Sequence, residues 1–449
     1  MRILIVTAWY HPFIQPRAHR WTALAEHWAA AGHRVYVVTG RHRGYEKYAV
    51  INGVHVHRAG FDSLKEVFYY YFSGKNARYR PGGAVEPPGL LSRLLFFLYK
   101  KIWKNICFPD DAGLWYFPAL RRAGKIVREF DVQALVSVSF PFTGHLVGRT
   151  LKKRYPHLPW VADTGDPFTI HDVPLYNTFL YGTINRRLEK SILQQADYYT
   201  VTTSALKKKY GQVFGETFCR KIEVVPPLCH PFAFPAPGDY PEEWSIEKRA
   251  GEIRLGYFGA FLSRIRTPFA LLNMLGDLKR QRPDIFPRLR LHILGEILPE
   301  FLPAFQKHPE VKLYGLCSRE QARAVMTQMD ALIHVGNRTD YQLPSKAADY
   351  LASDRPVIHL SYLDEDPFVD FWGDAPGLMC ARVRDEHVEG WENLPWESLV
   401  GGGSDRVTQS HPVTFAKLRR QKAEACSVQA IGEKIWSLLA TTADASRNG

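Results

Sequence analysis

Cysteine is sparse and scattered: Cys107, Cys219, Cys229, Cys317, Cys380 and Cys426 include no C-x-x-C pair. That spacing suggests neither a zinc site nor a disulfide framework, and a reducing cytoplasm is the simple expectation. Long hydrophobic runs are missing too. Arg2 leads straight into Ile3-Leu4-Ile5-Val6, too short for a signal h-region, and no charge-free apolar stretch approaches the roughly 18–20 residues of a membrane span. The chain is therefore expected to be neither exported nor integral to a membrane. Glycine is absent where a dinucleotide fold needs it. The first apolar run continues Thr7-Ala8-Trp9-Tyr10-His11-Pro12, without G-x-G-x-x-G, so NAD or FAD is not expected at this end. Helix-turn-helix, zinc-finger and RNA-recognition signatures are lacking, which leaves nucleic acid as a partner suggested by charge alone.

What is present describes a folded α/β chain. Its 449 residues exceed one hydrophobic core at roughly 100–200 residues per domain. Apolar residues make up 46% and charged residues 23%, close to globular averages. The formal net charge of +13 favours an anionic partner such as a nucleotide, a phosphate or an anionic membrane face.

The apolar run at residues 3–6, a helical repeat through Trp21, Leu24, Ala25 and Trp28, a stop at Gly32 and a second run Val35–Thr39 make a βαβ unit, hence a parallel sheet. Strand Ala134–Val138, a helix from Thr143 to about Arg154, strand Trp160–Ala162, a helix from about Tyr176 to Gln195 and strand Tyr198–Val201 continue it. A second alternation runs through Ile253–Phe258, Leu289–Leu294, Val311–Tyr314, Ala331–Val335 and Pro356–Leu360, with helices between. The expected domains are 1–229, a proline-rich connection at 230–250, and 251–449 with a terminal helix near Val428–Leu439. Two doubly wound domains of this kind are expected to face a deep cleft, with ligands at the carboxyl ends of the strands.

Several residues stand at such ends. Arg17, His19 and Arg20 begin the helix behind the first loop, facing a ligand or merely solvated. In the second domain, Tyr257-Phe258-Gly259 closes a strand and is followed by Arg264 and Arg266. Leu343-Pro344-Ser345-Lys346 opens a helix after Ala331–Val335, where Ser345, Lys346 and free amides suit a phosphate oxygen; Asp349 lies on the same face. Taken alone, the helix reads as an ordinary capped surface helix; with Arg264, Arg266 and Lys346 it is expected to make a diphosphate clamp. Asp166, just past Trp160–Ala162, stands at the carboxyl end of its strand, where a bound ligand would be touched, with Asp163 and His171 nearby; a turn-capping role for Asp166 is nearly as good a reading. The single D-x-D, Asp364-Glu365-Asp366, reads as a surface loop rather than a metal site. Between Leu90 and Phe108, a stripe of Leu91, Leu95, Leu98 and Ile102 faces away from Arg93, Lys100 and Lys104, with Phe97 and Trp103 flanking the basic side. The stripe suits docking and the basic-aromatic side suits an anionic membrane surface.

The sequence resembles the retaining glycosyltransferases of family 4, which have the GT-B fold, and among them bacterial members acting on surface polysaccharides or lipid-linked sugars. The carriers are Pro16-Arg17-Ala18-His19-Arg20-Trp21 leading to Ala30-Ala31-Gly32-His33-Arg34-Val35; Phe140-Pro141-Phe142-Thr143-Gly144-His145-Leu146; Pro159-Trp160-Val161-Ala162-Asp163-Thr164-Gly165-Asp166-Pro167-Phe168; and Leu343-Pro344-Ser345-Lys346 through Asp349-Tyr350-Leu351-Ala352-Ser353 to Pro356-Val357-Ile358. The resemblance implies sugar transfer from a nucleotide diphosphate sugar to a glycan or lipid-linked hydroxyl with retained anomeric configuration. It implies donor contacts from Gly259, Arg264, Arg266, Ser345, Lys346 and Asp349, acceptor-side contacts from Arg17, Asp163, Asp166 and His171, and no cofactor or required metal. A place on the inner face of the plasma membrane goes with it.

Three departures from the family pattern involve five positions. The paired glutamates fall on Tyr341 and Asp349, Ala260 follows the loop glycine where a basic residue is common, and Gly165 and Asp354 stand where arginine and glycine are common. They leave open a second reading, a catalytically inactive homologue that binds nucleotide or sugar or holds a membrane assembly.

Overall fold

A computed structural model describes residues 1–13, 15–42, 44–60, 94, 97–98, 102–171, 177–229, 234–235, 239–394, 396 and 412–448. The chain divides into two compact units: Met1–Pro226 with Val428–Gly449, and Pro227–Ser427.

Unit 1 is an eight-stranded sheet in the order β3-β4-β2-β1-β5-β6-β7-β8. The strands are β1 Arg2–Val6, β2 Arg34–Gly40, β3 Tyr48–Ile51, β4 Val54–Ala59, β5 Ala134–Ser139, β6 Trp160–Thr164, β7 Tyr198–Val201 and β8 Ile222–Val224. All neighbours run parallel except β3 and β4. Ile3, Leu4, Ile5 and Val6 are fully buried, as a strand covered on both faces requires. Unit 2 is a seven-stranded sheet in the order β11-β10-β9-β12-β13-β14-β15. It comprises β9 Ile253–Phe258, β10 Leu289–Leu294, β11 Val311–Gly315, β12 Ala331–Val335, β13 Val357–Ser361, β14 Leu378–Arg384 and β15 His387–Glu389. Only β14 and β15 pair antiparallel. Both units are doubly wound. Their strand order reverses between β1 and β5 and between β9 and β12, and the crevice at such a switch point is where an open α/β sheet binds ligands.

The structure corrects the expected boundaries. The Val428–Asn448 helix belongs with unit 1, because Trp28 donates to the Gly432 carbonyl at 3.4 Å, Trp436 stacks on His33 at 4.2 Å and Lys434 donates to the Val224 carbonyl at 2.8 Å. The described part of the 230–250 connection is held by unit 2: Lys248 pairs with Asp330 at 2.6 Å, and the Ile246 amide donates to Gln328 at 2.7 Å. Where the chain enters and leaves unit 2, the Cys229 amide donates to the Cys426 carbonyl at 2.7 Å, side by side.

Candidate functional site

At the switch point of unit 2, the Lys346–Ala352 helix follows β12 and carries Asp349 in its first turn. Asp349 is 1% exposed, and three cations surround its carboxylate: Arg323 at 3.4 Å, Lys346 at 3.5 Å and Arg319 at 4.0 Å. Burial alone would raise the carboxyl pKa; Lys346, Arg319 and Arg323 overcome it and hold the group below its ordinary value. Burial pushes the Lys346 ammonium down, against the pull of Asp349. Asp349 therefore gathers cations around a carboxylate that is itself buried. Arg319 and Arg323 were not foreseen; they lie four residues apart on the Arg319–Met326 helix, a spacing that puts both on one face.

The loop after β9 supplies the other expected cations. The Gly259 amide donates to the Leu294 carbonyl at 3.0 Å, and a Cβ on Gly295 would stand 2.0 Å from the Gly259 oxygen, so the loops after β9 and β10 touch backbone to backbone. Leu262 and Arg266 pair across a tight turn with exposed Arg264 at its tip, while Arg266 donates from Nε to the Ala260 carbonyl at 3.2 Å. Ser345 is half-buried and makes no side-chain cap bond. The Arg338 amide donates to the Ile265 carbonyl at 2.9 Å, which ties the loop after β12 to the loop after β9.

Two of the departing positions have structural explanations. Asp354 adopts φ +55° just past the end of the Lys346–Ala352 helix, the left-handed stop position that favours glycine. At Gly165, a Cβ would lie 1.6 Å from Nη2 of Arg17, so the Arg17 guanidinium fills the space of a side chain at 165. Tyr341 is 1% exposed and belongs to the interior.

Unit 1 arranges its charges differently. Asp163, 2% exposed, accepts from Arg17 at 2.8 Å, Trp21 at 2.8 Å and Thr200 at 2.7 Å, with Arg20 at 4.0 Å. Burial raises its pKa, and Arg17 and Arg20 bring it below the ordinary value. It is a fixed node of the fold, and Arg17 is partly committed to it. At the unit 1 switch point, the Thr143–Arg154 helix after β5 is stopped at its N-terminus by a carboxylate of the chain itself: Asp110 accepts from the Thr143 amide at 3.0 Å and the Thr143 hydroxyl at 2.7 Å. Burial, with Asp111, pushes Asp110 up to about 6.

Asp166 is exposed at the carboxyl end of β6, and the loop beyond it is gripped by buried Glu189, which accepts from the Phe168 and Thr169 amides at 2.9 Å each. A cavity of about 460 Å³ opens there, lined in part by Phe168, Thr169, His171, Phe179, Leu180 and Asn185. Among the described residues the buried Asn185 Oδ1 has no hydrogen-bond partner, whereas Phe179 is 96% exposed at the rim. Leu180, Ile184, Ile106 and Phe108 are exposed as well, and Phe108 meets Tyr181 edge-on at 5.0 Å.

Of the expected membrane face, Phe97 is exposed and Trp103 half-buried; Arg93 and Lys100 lie outside the described residues, as does the Lys104 side chain. The D-x-D is only partly a surface loop. Asp364 is exposed and pairs with Arg382 at 2.9 Å, but Asp366 is buried, caps the Pro367–Trp372 helix through the Phe368 amide, and accepts from His359 at 2.9 Å and Ser361 at 2.7 Å. His359 in turn meets His334 at 2.8 Å. Among the described residues, no group of three His, Cys, Asp or Glu side chains could hold a metal ion, and no helix is long and apolar enough to cross a membrane.

Comparison with known proteins agrees with this geometry. Residues 18–228 match the glycosyl transferase 4-like domain. Solved structures resemble the whole chain. Sucrose-phosphate synthase from Thermosynechococcus elongatus shares 14% identity at a TM-score of 0.62, covering 99% of this chain and 100% of its own. The catalytic domain of starch synthase IV from Arabidopsis thaliana, bound to ADP and acarbose, shares 9% identity at 0.62, covering 99% of each. The Anabaena protein HepE, in complex with UDP-glucose, shares 12% identity at 0.54, covering 98% of this chain and 100% of its own. No curated protein matches the sequence. The architecture is the GT-B fold, and its first half is similar to the glycosyl transferase 4-like domain over residues 18–228.

Proposed function

We propose that the chain transfers a sugar from a nucleotide diphosphate sugar to an acceptor hydroxyl with retention of anomeric configuration. The observation that carries this reading is the surplus of positive charge at the unit 2 switch point, where Arg319, Arg323 and Lys346 share one buried carboxylate. Cleavage of the sugar bond leaves negative charge on the departing diphosphate. Preorganised cations in a partly desolvated site stabilise that charge more in the transition state than in the ground state, without reorganising as it forms. Asp349 fixes the cations and Arg264 adds a solvent-exposed one, so the residues present supply the neutralisation that a metal ion provides elsewhere. The ADP and UDP-glucose held by two proteins of the same fold make nucleoside diphosphates the natural probes.

The acceptor half of the reading is an amphipathic, lipid-linked glycan approached from an anionic membrane surface. Support comes from the cavity past Asp166, polar at Thr169 and Asn185 and apolar at the rim through Phe179 and Leu180. Such a rim fits a lipid chain, and the basic sequence fits anionic head groups at the cytoplasmic face.

The test is a thermal-shift panel of UDP, GDP and ADP, without and with divalent metal, followed by turnover of the matching sugar nucleotide. A selective shift and transfer by the native chain, both lost in Lys346→Ala and Arg319→Ala, are expected. Binding without transfer or hydrolysis would establish the inactive homologue instead. For the membrane, Phe179→Ser with Leu180→Ser should weaken binding to anionic vesicles; unchanged binding would remove that half of the proposal.

A further inference from the structure

β14 and β15 are joined by a two-residue turn, Asp385 and Glu386, with Arg384 facing His387. Both turn residues have positive φ, +47° and +60°. This is the backbone of a type I′ hairpin, which favours Asn-Gly and is seldom built from two larger residues. A glutamate held there is placed for its side chain, and residues kept in sparsely populated backbone states concentrate where function over-determines them.

The Glu386 carboxylate reaches three segments at the carboxyl edge of the unit 2 sheet. It accepts from the Thr267 hydroxyl at 2.8 Å, at the end of the loop that carries Arg264 and Arg266. It pairs with Arg338 in the loop after β12, the loop that leads to Ser345 and Lys346. It accepts from the Tyr362 hydroxyl at 2.8 Å, just past β13, and Arg338 lies over that tyrosine ring at 4.7 Å. Burial, then Glu386 itself, keeps the Tyr362 hydroxyl protonated well above the ordinary tyrosine range, so it remains the donor. The Glu386 carbonyl accepts from Asn273 at 2.9 Å, anchoring the turn to the Phe269–Gln281 helix. One side chain thus fixes the spacing of loops that come from three separate strands.

We propose that Glu386 is the positioning residue of the nucleoside diphosphate site: it locks the loops after β9 and β12 in the geometry that binds the donor, at the expense of a strained turn. The inference rests on the reading of unit 2 as the donor site. Glu386 touches none of the cations around Asp349, so it acts through the loops.

Two variants separate this role from a plain turn. Glu386→Gly suits the positive φ and removes the carboxylate; Glu386→Gln keeps one of the two acceptor oxygens, turns the other into an NH2 donor and removes the charge facing Arg338. For Glu386→Gly, an unchanged or higher melting temperature without nucleotide is expected, with affinity for the diphosphate selected by the native chain weakened at least tenfold. KM for the sugar nucleotide should rise more than kcat falls, and Glu386→Gln should lie between. In the nucleotide-free protein, amide exchange across residues 262–267 and 336–342 should speed up in Glu386→Gly. Native affinity and KM in both variants, or unchanged exchange in both loops, would overturn the proposal. A native chain that binds no nucleoside diphosphate would instead remove the donor-site reading, while the exchange measurement still decides whether Glu386 orders the loops.

Discussion

Asp163 in unit 1 and Asp349 in unit 2 are the same device with different remainders. Each is a buried aspartate near the carboxyl edge of a parallel sheet, drawn below its ordinary pKa by neighbouring cations against the effect of burial. Asp163 spends its lone pairs on neutral donors as well, Trp21 and Thr200, and has two arginines. Asp349 has two arginines and a lysine. Asp110 sharpens the contrast by closing a helix N-terminus in unit 1 with an anion of the chain itself. Two sheets of nearly the same winding thus differ in what charge they leave for a ligand, and the difference comes from side chains contributed by neighbouring helices.

The most damaging change to this arrangement is Asp349→Ala. Removing the shared partner of three cations leaves buried charge uncompensated, and a loss of about 3–5 kcal/mol in denaturant unfolding is expected. A variant as stable as the native chain would show that the cations are solvated without Asp349. Next comes Gly165→Ala, whose methyl would displace the Arg17 guanidinium from Asp163; about 1–3 kcal/mol should be lost, and Arg17→Ala combined with it should lose little more. Full additivity in that double-mutant cycle would refute the contact.

Asp110→Ala should cost about 1–2 kcal/mol for its cap and should let unit 1 gain stability from added phosphate, which the native chain should not. The same carboxylate also sets a pH dependence. Because the folded Asp110 carboxyl is raised to about 6 from an unperturbed value of 3.8, its protonation favours the fold below the lower value, and that contribution is lost as pH rises to about 6. Stability of Asp110→Ala, measured against the native chain at pH 4 and pH 7, should compare more favourably at pH 7; a pH-independent difference would contradict the shift.

Much of the fold was legible because buried parallel strands write continuous apolar runs: the helix at Thr143–Arg154 and the strands Tyr198–Val201, Ile253–Phe258, Leu289–Leu294 and Ala331–Val335 stand where the sequence placed them. The hairpin of β3 and β4 is marked only by Asn52-Gly53 between two β-rich runs, and the Tyr116–Phe130 helix lies in a stretch without clear stops. The hairpin of β14 and β15 left no such mark, since Asp385-Glu386 is not a turn dipeptide that local preference selects. At the site, Lys346 and Asp349 could be paired from helical spacing, whereas Arg319 and Arg323 join them only through tertiary packing across an intervening strand. The exchange of Gly165 for the guanidinium of Arg17 is likewise invisible in one dimension, as the two lie far apart in sequence and meet only when β6 and the first helix are in place.

The return of the Val428–Asn448 helix to unit 1 sets an order of events on the ribosome. Unit 2, continuous from Pro227 to Ser427, has all its residues made before residue 428, whereas unit 1 waits for the Val428–Asn448 helix to cover Trp28 and His33. Unit 1, begun before unit 2, is therefore completed after it, and a chain cut at residue 427 would hold every residue of unit 2 but only part of unit 1.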